Sequence, residues 1–268
     1  MTYFGFLALF LALPLVAISL ITLFDARRDR GWFTSRAGKL AAGALLAHVV
    51  LALTYTTPWD NYLVATRVWW YDPARVLGIT LGWVPLEEYL FFILQTLFAG
   101  LLLFAVARRL PPNNSIANNK SLRLISAIAV AIVWLASVFI LALGWKPGAY
   151  LGLELVWALP PIILQLAVGA DILWRYWRSV FSVLFGVALY LSVADSLAIG
   201  AGVWTIDPAQ SLKVFIGGVL PVEELIFFLL TNTLLVFGLT LALAPETWAR
   251  WAQIKAALRG RALIEEKA

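Results

Sequence analysis

Pro85-Leu86-Glu87-Glu88-Tyr89-Leu90-Phe91-Phe92 and Pro221-Val222-Glu223-Glu224-Leu225-Ile226-Phe227-Phe228 carry one pattern: a proline, two adjacent carboxyls, and two aromatic rings a helical turn later. Each lies inside an apolar run long enough to cross a bilayer. A carboxylate at membrane depth costs roughly 2.5–3.5 kcal/mol on insertion scales. A chain that bears this cost twice, with the same flanking residues, describes a site. Pro85 and Pro221 lack an amide proton and favour a helix start just after them. Glu87, Glu88, Glu223 and Glu224 then occupy first-turn positions, where unpaired N–H groups and the helix dipole lower their cost. Gln95 falls two turns beyond Glu88 and Thr231 two turns beyond Glu224, with Asn232 beside it.

Carboxyls, aromatic faces and a few neutral polar groups in an apolar wall suit proton transfer to an apolar substrate. Burial and like-charge proximity let one Glu stay protonated as an acid while another is ionised. The rings of Phe91, Phe92, Phe227 and Phe228 stabilise a developing carbocation without capturing it, as water or a hydroxyl would. A dry site protects the cation from hydration. This chemistry requires neither a metal nor a redox cofactor. The alternative is structural, with the Glu pairs capping helix breaks and bonding neighbouring helices. Duplication in aromatic surroundings favours function over that reading.

Asp60 and Asp195 are further candidates, each ending a helix on the side of the Glu motifs, whereas Asp72-Pro73 and Asp207-Pro208 read as turn closures. Trp69 and Trp204 recur at equivalent positions. Trp32, Trp59, Trp145 and Trp248 read as interfacial anchors. His48 has no counterpart in the repeat and reads as a hydrogen-bonded core residue. Glu154 also lacks a repeat partner and is placed near the interface.

The elements that must position these groups are membrane helices. Hydrophobic residues make up 62% of the 268 and charged residues 13%, outside the range of soluble domains. The chain has no cysteine and one histidine, which excludes disulfides, thiolate sites and His-based metal clusters. Apolar segments fall at 3–24, 40–55, 76–106, 122–143, 150–170, 180–193 and 214–243. The third and seventh carry an internal proline that breaks, kinks or tilts them. Of 20 Lys and Arg, only Arg67, Arg75, Lys146 and Lys213 fall on one side of the resulting seven-helix topology. That asymmetry predicts a multi-pass cell-membrane protein with its N-terminus outside and C-terminus cytoplasmic. The basic residues are topology signals, and a nucleic-acid partner is not expected. The first segment lacks a basic leader and a cleavage site and reads as a retained helix.

The two motifs belong to a larger duplication. Residues 60–73 align with 195–208 at constant offset, and a one-residue shift then aligns 85–88 with 221–224. Pro14 and Asp25 have the spacing of Pro160 and Asp171. The fold class is therefore an all-α integral membrane protein in which two parallel three-helix repeats are joined by an extra helix. The expected divisions are a first repeat at 1–109, a polar linker and connecting helix at 110–148, a second repeat at 149–244, and a tail at 245–268. In the tail Trp248, Trp251, Ile254 and Leu258 form an apolar stripe, with Arg250, Lys255, Arg259 and Arg261 around it. Such a helix lies on the cytoplasmic leaflet or docks against a neighbouring subunit.

The duplicated motif, with Thr231-Asn232 after the second copy and Gln95-Thr96 after the first, resembles the membrane-integral lycopene cyclases over nearly all of 3–243. These occur as two subunits, as fused chains, or joined to phytoene synthase; this chain is similar to the fused form without a synthase. The resemblance implies cyclisation of the acyclic ends of lycopene to β-ionone rings, without net redox change or cofactor. An acid protonates C2, the 5,6-double bond attacks C1, and a base removes the C6 proton. Glu87, Glu88, Glu223 and Glu224 are the candidate acids and bases, individually unassigned, and a single site shared by both halves is favoured over two. Implied partners are lycopene and related carotenoids, lipid, and either pathway enzymes or a second copy. The competing readings are a proton-coupled transporter with parallel three-helix repeats, and a cyclase forming ε- or γ-rings or acting on C50 carotenoids. A retinal protein is disfavoured because the last helix has no lysine for a Schiff base.

Overall fold

A computed structural model describes residues 1–28, 36–113 and 118–265, with side chains to residue 256. Arg30, Trp32, the middle of the polar connector (114–117), Lys267 and the side chains of Leu258, Arg259 and Arg261 lie outside the described residues. Seven helices have the length and apolarity to cross a membrane, with mean hydropathies from 1.6 to 2.8. They are α1 (Tyr3–Arg28), α2 (Arg36–Ala65), α3 (Leu86–Ala107), α4 (Lys120–Ala142), α5 (Ala149–Arg175), α6 (Trp177–Gly200) and α7 (Val222–Leu243). A further helix, α8 (Pro245–Glu265), follows at the C-terminal end and keeps Trp248, Trp251 and Ile254 exposed.

The contacts follow the repeat. α3 packs against α1 and α2, α7 packs against α5 and α6, and α3 meets α7 at the centre. Across the pseudo-twofold, α2 touches α7 while its counterpart α6 touches α3. The extra helix α4 packs chiefly along α5 and turns most of its surface outward.

The third and seventh apolar runs are not helical throughout. Residues before Leu86 and Val222 form short hairpins: β2 (Thr80–Leu81) with β3 (Val84–Pro85), and β5 (Phe215–Ile216) with β6 (Leu220–Pro221), where β1 and β4 are defined below. Pro85 and Pro221, in extended conformation, are the N-caps of α3 and α7, as the prolines lead one to expect. Turns with positive φ recur at equivalent places, Arg67 (62°) with Gly202 (71°) and Gly78 (77°) with Lys213 (61°). Gly82 (69°) is confined twice over, because a Cβ there would lie 2.2 Å from Asn61 Oδ1. Leu77, Ile79, Leu81 and Trp83 are exposed, so composition alone could not separate this hairpin from lipid-facing helix.

The two halves are stitched by β1 (Trp69–Tyr71) and β4 (Trp204–Ile206), which pair antiparallel with Trp69 opposite Ile206, Trp70 opposite Thr205 and Tyr71 opposite Trp204. With equivalent residues 135 apart, the pseudo-twofold passes between Trp70 and Thr205. Asp72 and Asp207 each accept the backbone N–H two residues on, from Ala74 and Ala209, both at 2.9 Å. These are the turn closures expected of the Asp-Pro pairs. At the opposite end, Asp25 pairs with Arg109 and its repeat equivalent Asp171 with Arg250.

Candidate active site

Two residues of each Pro-x-Glu-Glu motif point in different directions. Consecutive helical residues lie about 100° apart around the axis, and the two carboxyls of each pair take different partners. Glu87 Oε1 accepts the Leu77 N–H at 2.6 Å, and Glu223 Oε1 accepts the Leu212 N–H at 2.7 Å. Both tie the loop before their helix onto its first turn, and neither lines a described cavity. Glu88 and Glu224 instead face one shared cavity of about 50 Å³ between α3 and α7.

Each of these carboxyls is held by tyrosine. Tyr3 and Tyr71 both donate to Glu88 Oε2, the latter at 3.0 Å, and Tyr150 donates to Glu224 Oε1 at 2.8 Å. Burial, then the carboxyls of Asp60 and Glu88, push the Tyr71 phenol above its ordinary range, so it remains a neutral donor. Tyr3 and Tyr150 are the same residue of the repeat, although they escape alignment at fixed offset. Tyr3 precedes Pro14 by eleven residues and Tyr150 precedes Pro160 by ten. The extra residue of α1 is taken up by a π-helical turn at Ala8–Ala12, which restores the phase of Tyr3 toward the cavity. Tyr190 of α6 donates to the Phe10 carbonyl within that turn at 3.0 Å.

Asp195 lines the cavity as well. Trp204 Nε1 donates to its Oδ1 at 2.9 Å, it lies within hydrogen-bonding reach of Glu224, and its buried Oδ2 accepts no N–H or O–H from the described residues. Asp60, the equivalent, is buried near Glu88, and neither of its oxygens accepts a hydrogen bond among the described residues. Both aspartates sit inside their helices, five residues before the ends, rather than at the termini. Glu154, expected near the interface, is fully buried on α5 one turn from Tyr150 and close to Glu224 and Glu223. Its oxygens carry no strong bond, and periodicity gives no signal for it because Leu7 or Ala8 stands in the other half.

Aromatic rings close the cavity. Trp69, Tyr71 and Trp204 come from the β1–β4 ribbon, which roofs it, while Phe91, Phe227 and Phe228 come from the central helices. Phe91 and Phe228 approach to 6.4 Å between ring centroids across the axis. Trp59 is not a surface anchor. It stacks on Trp157 at 4.4 Å and on Phe227 at 5.9 Å and donates to the Leu153 carbonyl at 3.0 Å. Its place on the inner face of α2, one residue before Asp60, was the available clue. Trp145 and Trp248 are half exposed, as anchors are.

A second, larger cavity of about 240 Å³ lies between α2, α3, α5 and α7. Phe227 lines both cavities, and Phe92, Gln95 and Thr231 line the larger one. Gln95 Nε2 donates to Thr231 Oγ1 at 3.2 Å, so two equivalent positions meet across the axis. Asn232 is not brought to either cavity; its Nδ2 bonds the Phe228 carbonyl of its own helix. His48 lines the larger cavity and shares a hydrogen with the Ala44 carbonyl, in keeping with a bonded core residue.

The arrangement can deliver a proton and remove one within a single aromatic-lined cavity. The family model for lycopene cyclase matches residues 1–107 and 147–244. A protein of Halobacterium salinarum named lycopene beta-cyclase is 38% identical over 252 residues, covering 93% of this chain and 98% of its own. Bifunctional lycopene cyclase/phytoene synthases of Podospora anserina and Phaeosphaeria nodorum are both 36% identical, over 71% and 75% of this chain and 33% and 36% of theirs. No solved structure matches the chain. By the extent of these matches, and with the duplicated Pro-x-Glu-Glu helices at its centre, the chain belongs to the lycopene cyclase family.

Proposed function

We propose that the protein cyclises the acyclic ends of lycopene to β-ionone rings, using Glu88 and Glu224 at one site shared by both halves. The carrying observation is that these two carboxyls, equivalent in the repeat, face the same cavity. Glu224 and Asp195 are within hydrogen-bonding reach, and two carboxyls bond one another only through a proton. That proton goes to C2 of the terminal double bond, leaving a tertiary cation at C1. The 5,6-double bond closes the ring by forming the C1–C6 bond, and the charge passes to C5. Glu88, as carboxylate oriented by two phenol donors, takes the proton from C6, and the 5,6-double bond is restored.

Phe91, Phe227, Phe228, Trp69 and Trp204 present ring faces to the cationic carbons. The β1–β4 ribbon keeps bulk water from the cation. The polyene runs from this chamber past Phe227 into the larger cavity, where Phe92, Gln95 and Thr231 guide it. Glu87 and Glu223 serve by fixing the loops that precede α3 and α7. Asn232 packs within α7 and supports the site only through the helix.

The proposed divisions are two catalytic halves, 1–109 and 149–244, with the linker and α4 between and the tail resting on the leaflet. The Lys and Arg distribution supports a cell membrane location with the site toward the outer face and the C-terminus in the cytoplasm. Expression in a lycopene-accumulating host, with pigment chromatography, tests the activity. Conversion to γ- and β-carotene is expected; unchanged lycopene with the protein inserted would refute it.

A further inference from the structure

Cyclisation moves one proton from acid to base through the substrate and leaves the enzyme in the reverse protonation state. Glu224 ends the turnover deprotonated and Glu88 ends it protonated, so the site must be reset before the next ring. The structure gives the returning proton a short way home. Glu88, Asp195 and Glu224 lie on the wall of one cavity, which the β1–β4 ribbon covers on the side of the loops. Trp204 donates to one oxygen of Asp195, and the other, Oδ2, is buried and accepts no N–H or O–H from the described residues, although Asp195 is 1% exposed and sits beside Glu224.

We propose that Asp195 returns the proton from Glu88 to Glu224 across the shared cavity, so that hydrogen removed from C6 of one ring is handed on toward C2 of a later one. The inference rests on the assignment of Glu88 and Glu224 above. Once the product end withdraws, the cavity of about 50 Å³ has room for a few waters. These carry the proton from the Glu88 carboxyl to Asp195 Oδ2, and Asp195 shares it with Glu224. One O–H bond breaks at Glu88 and one forms at the Asp195–Glu224 pair, so the reset needs no net proton from solvent. Fixing Oδ1 with the indole N–H orients the free oxygen, so Asp195 acts as a positioning and relay group rather than one that touches the reacting carbons.

The test is isotopic and uses the intact protein in lipid vesicles supplied with lycopene deuterated at C6 and C6′. In ordinary water over many turnovers, the relay places C6-derived deuterium at C2 of a measurable fraction of rings, diluted by the hydrogens of the waters that hand it on. Unlabelled lycopene in D₂O correspondingly gives rings with less than one solvent deuteron each. Rings formed with no C6-derived label at C2, and a full solvent deuteron per ring in D₂O, would overturn the relay while leaving the cyclase assignment intact. Absence of rings would instead refute the assignment itself. In Asp195→Asn, any ring still formed should draw its C2 hydrogen from solvent; retained label transfer in that variant would also overturn the proposal. If that variant fails to fold, the wild-type label measurement decides alone.

Discussion

The two halves solve the same problem with different neighbours. Glu88 is held by two phenols, from Tyr3 and Tyr71, whereas Glu224 is held by one phenol, from Tyr150, and by the carboxyl of Asp195. The divergence is traceable to single positions: Tyr71 has Ile206 as its repeat equivalent, and Trp204 bonds Asp195 while no such bond joins Trp69 to Asp60 among the described contacts. One half therefore resembles a proton acceptor supported by neutral donors, and the other a carboxyl pair that stores a proton. On the proposed mechanism, duplication supplies the geometry, and departure from it supplies acid and base.

The comparison breaks most sharply at the carboxyls. Glu88→Gln and Glu224→Gln should each lower the cyclisation rate by about 10²–10⁴-fold, measured as ring formation per inserted molecule. Half the wild-type rate in both variants would mean two independent sites. The ion pairs at the far end offer a stability contrast between the same halves. Asp171→Ala, which removes the buried carboxylate that Arg250 and Arg123 share, should cost about 3–5 kcal/mol, while Asp25→Ala, opposite the half-exposed Arg109, should cost at most about 1 kcal/mol. Thermal unfolding in detergent reads both, and equal losses would deny the difference.

Tyrosine substitutions sharpen the acid–base distinction. Tyr150→Phe removes the phenol donor of Glu224 and should lower the rate roughly ten- to a hundred-fold, from about 1.5–3 kcal/mol of charge-assisted hydrogen bond. Tyr71→Phe should cost less because Tyr3 still donates to Glu88, and combining Tyr3→Phe with Tyr71→Phe should cost more than the two single losses summed. The smallest effect belongs to the first glutamate of each motif. Glu87→Gln and Glu223→Gln keep an oxygen that accepts the loop N–H, so a loss near 1 kcal/mol in stability is expected with turnover retained. Abolished turnover in a folded Glu87→Gln protein would return that residue to the chemistry.

The repeat, the helices and the glutamate pairs were legible in residue order, because charge at membrane depth is rare and duplication is visible at fixed spacing. Which glutamate faces inward was not legible. Glu87 and Glu88 share the first turn, and only the packing of α3 against α7 decides between directions a third of a turn apart. Tyr3 and Tyr150 were hidden by the single residue that the π turn absorbs. The hairpins before α3 and α7 were hidden for another reason: Leu77, Ile79, Leu81 and Trp83 are as apolar as any lipid-facing helix. Trp59 was misread as an anchor because an indole at the rim and an indole in an aromatic stack look alike in one dimension.

The ribbon between the halves has a further consequence. Its register, Trp69 with Ile206 and Tyr71 with Trp204 about Trp70 and Thr205, maps onto itself under the pseudo-twofold. Two identical half-length chains could make the same isologous contact, each offering one three-residue edge to the other. Such a dimer would be obliged to present matching carboxyl environments on both sides of its axis. Joining the halves in one polypeptide lifts that obligation, since Tyr71 and Ile206 are then free to differ while the strands that carry them stay paired.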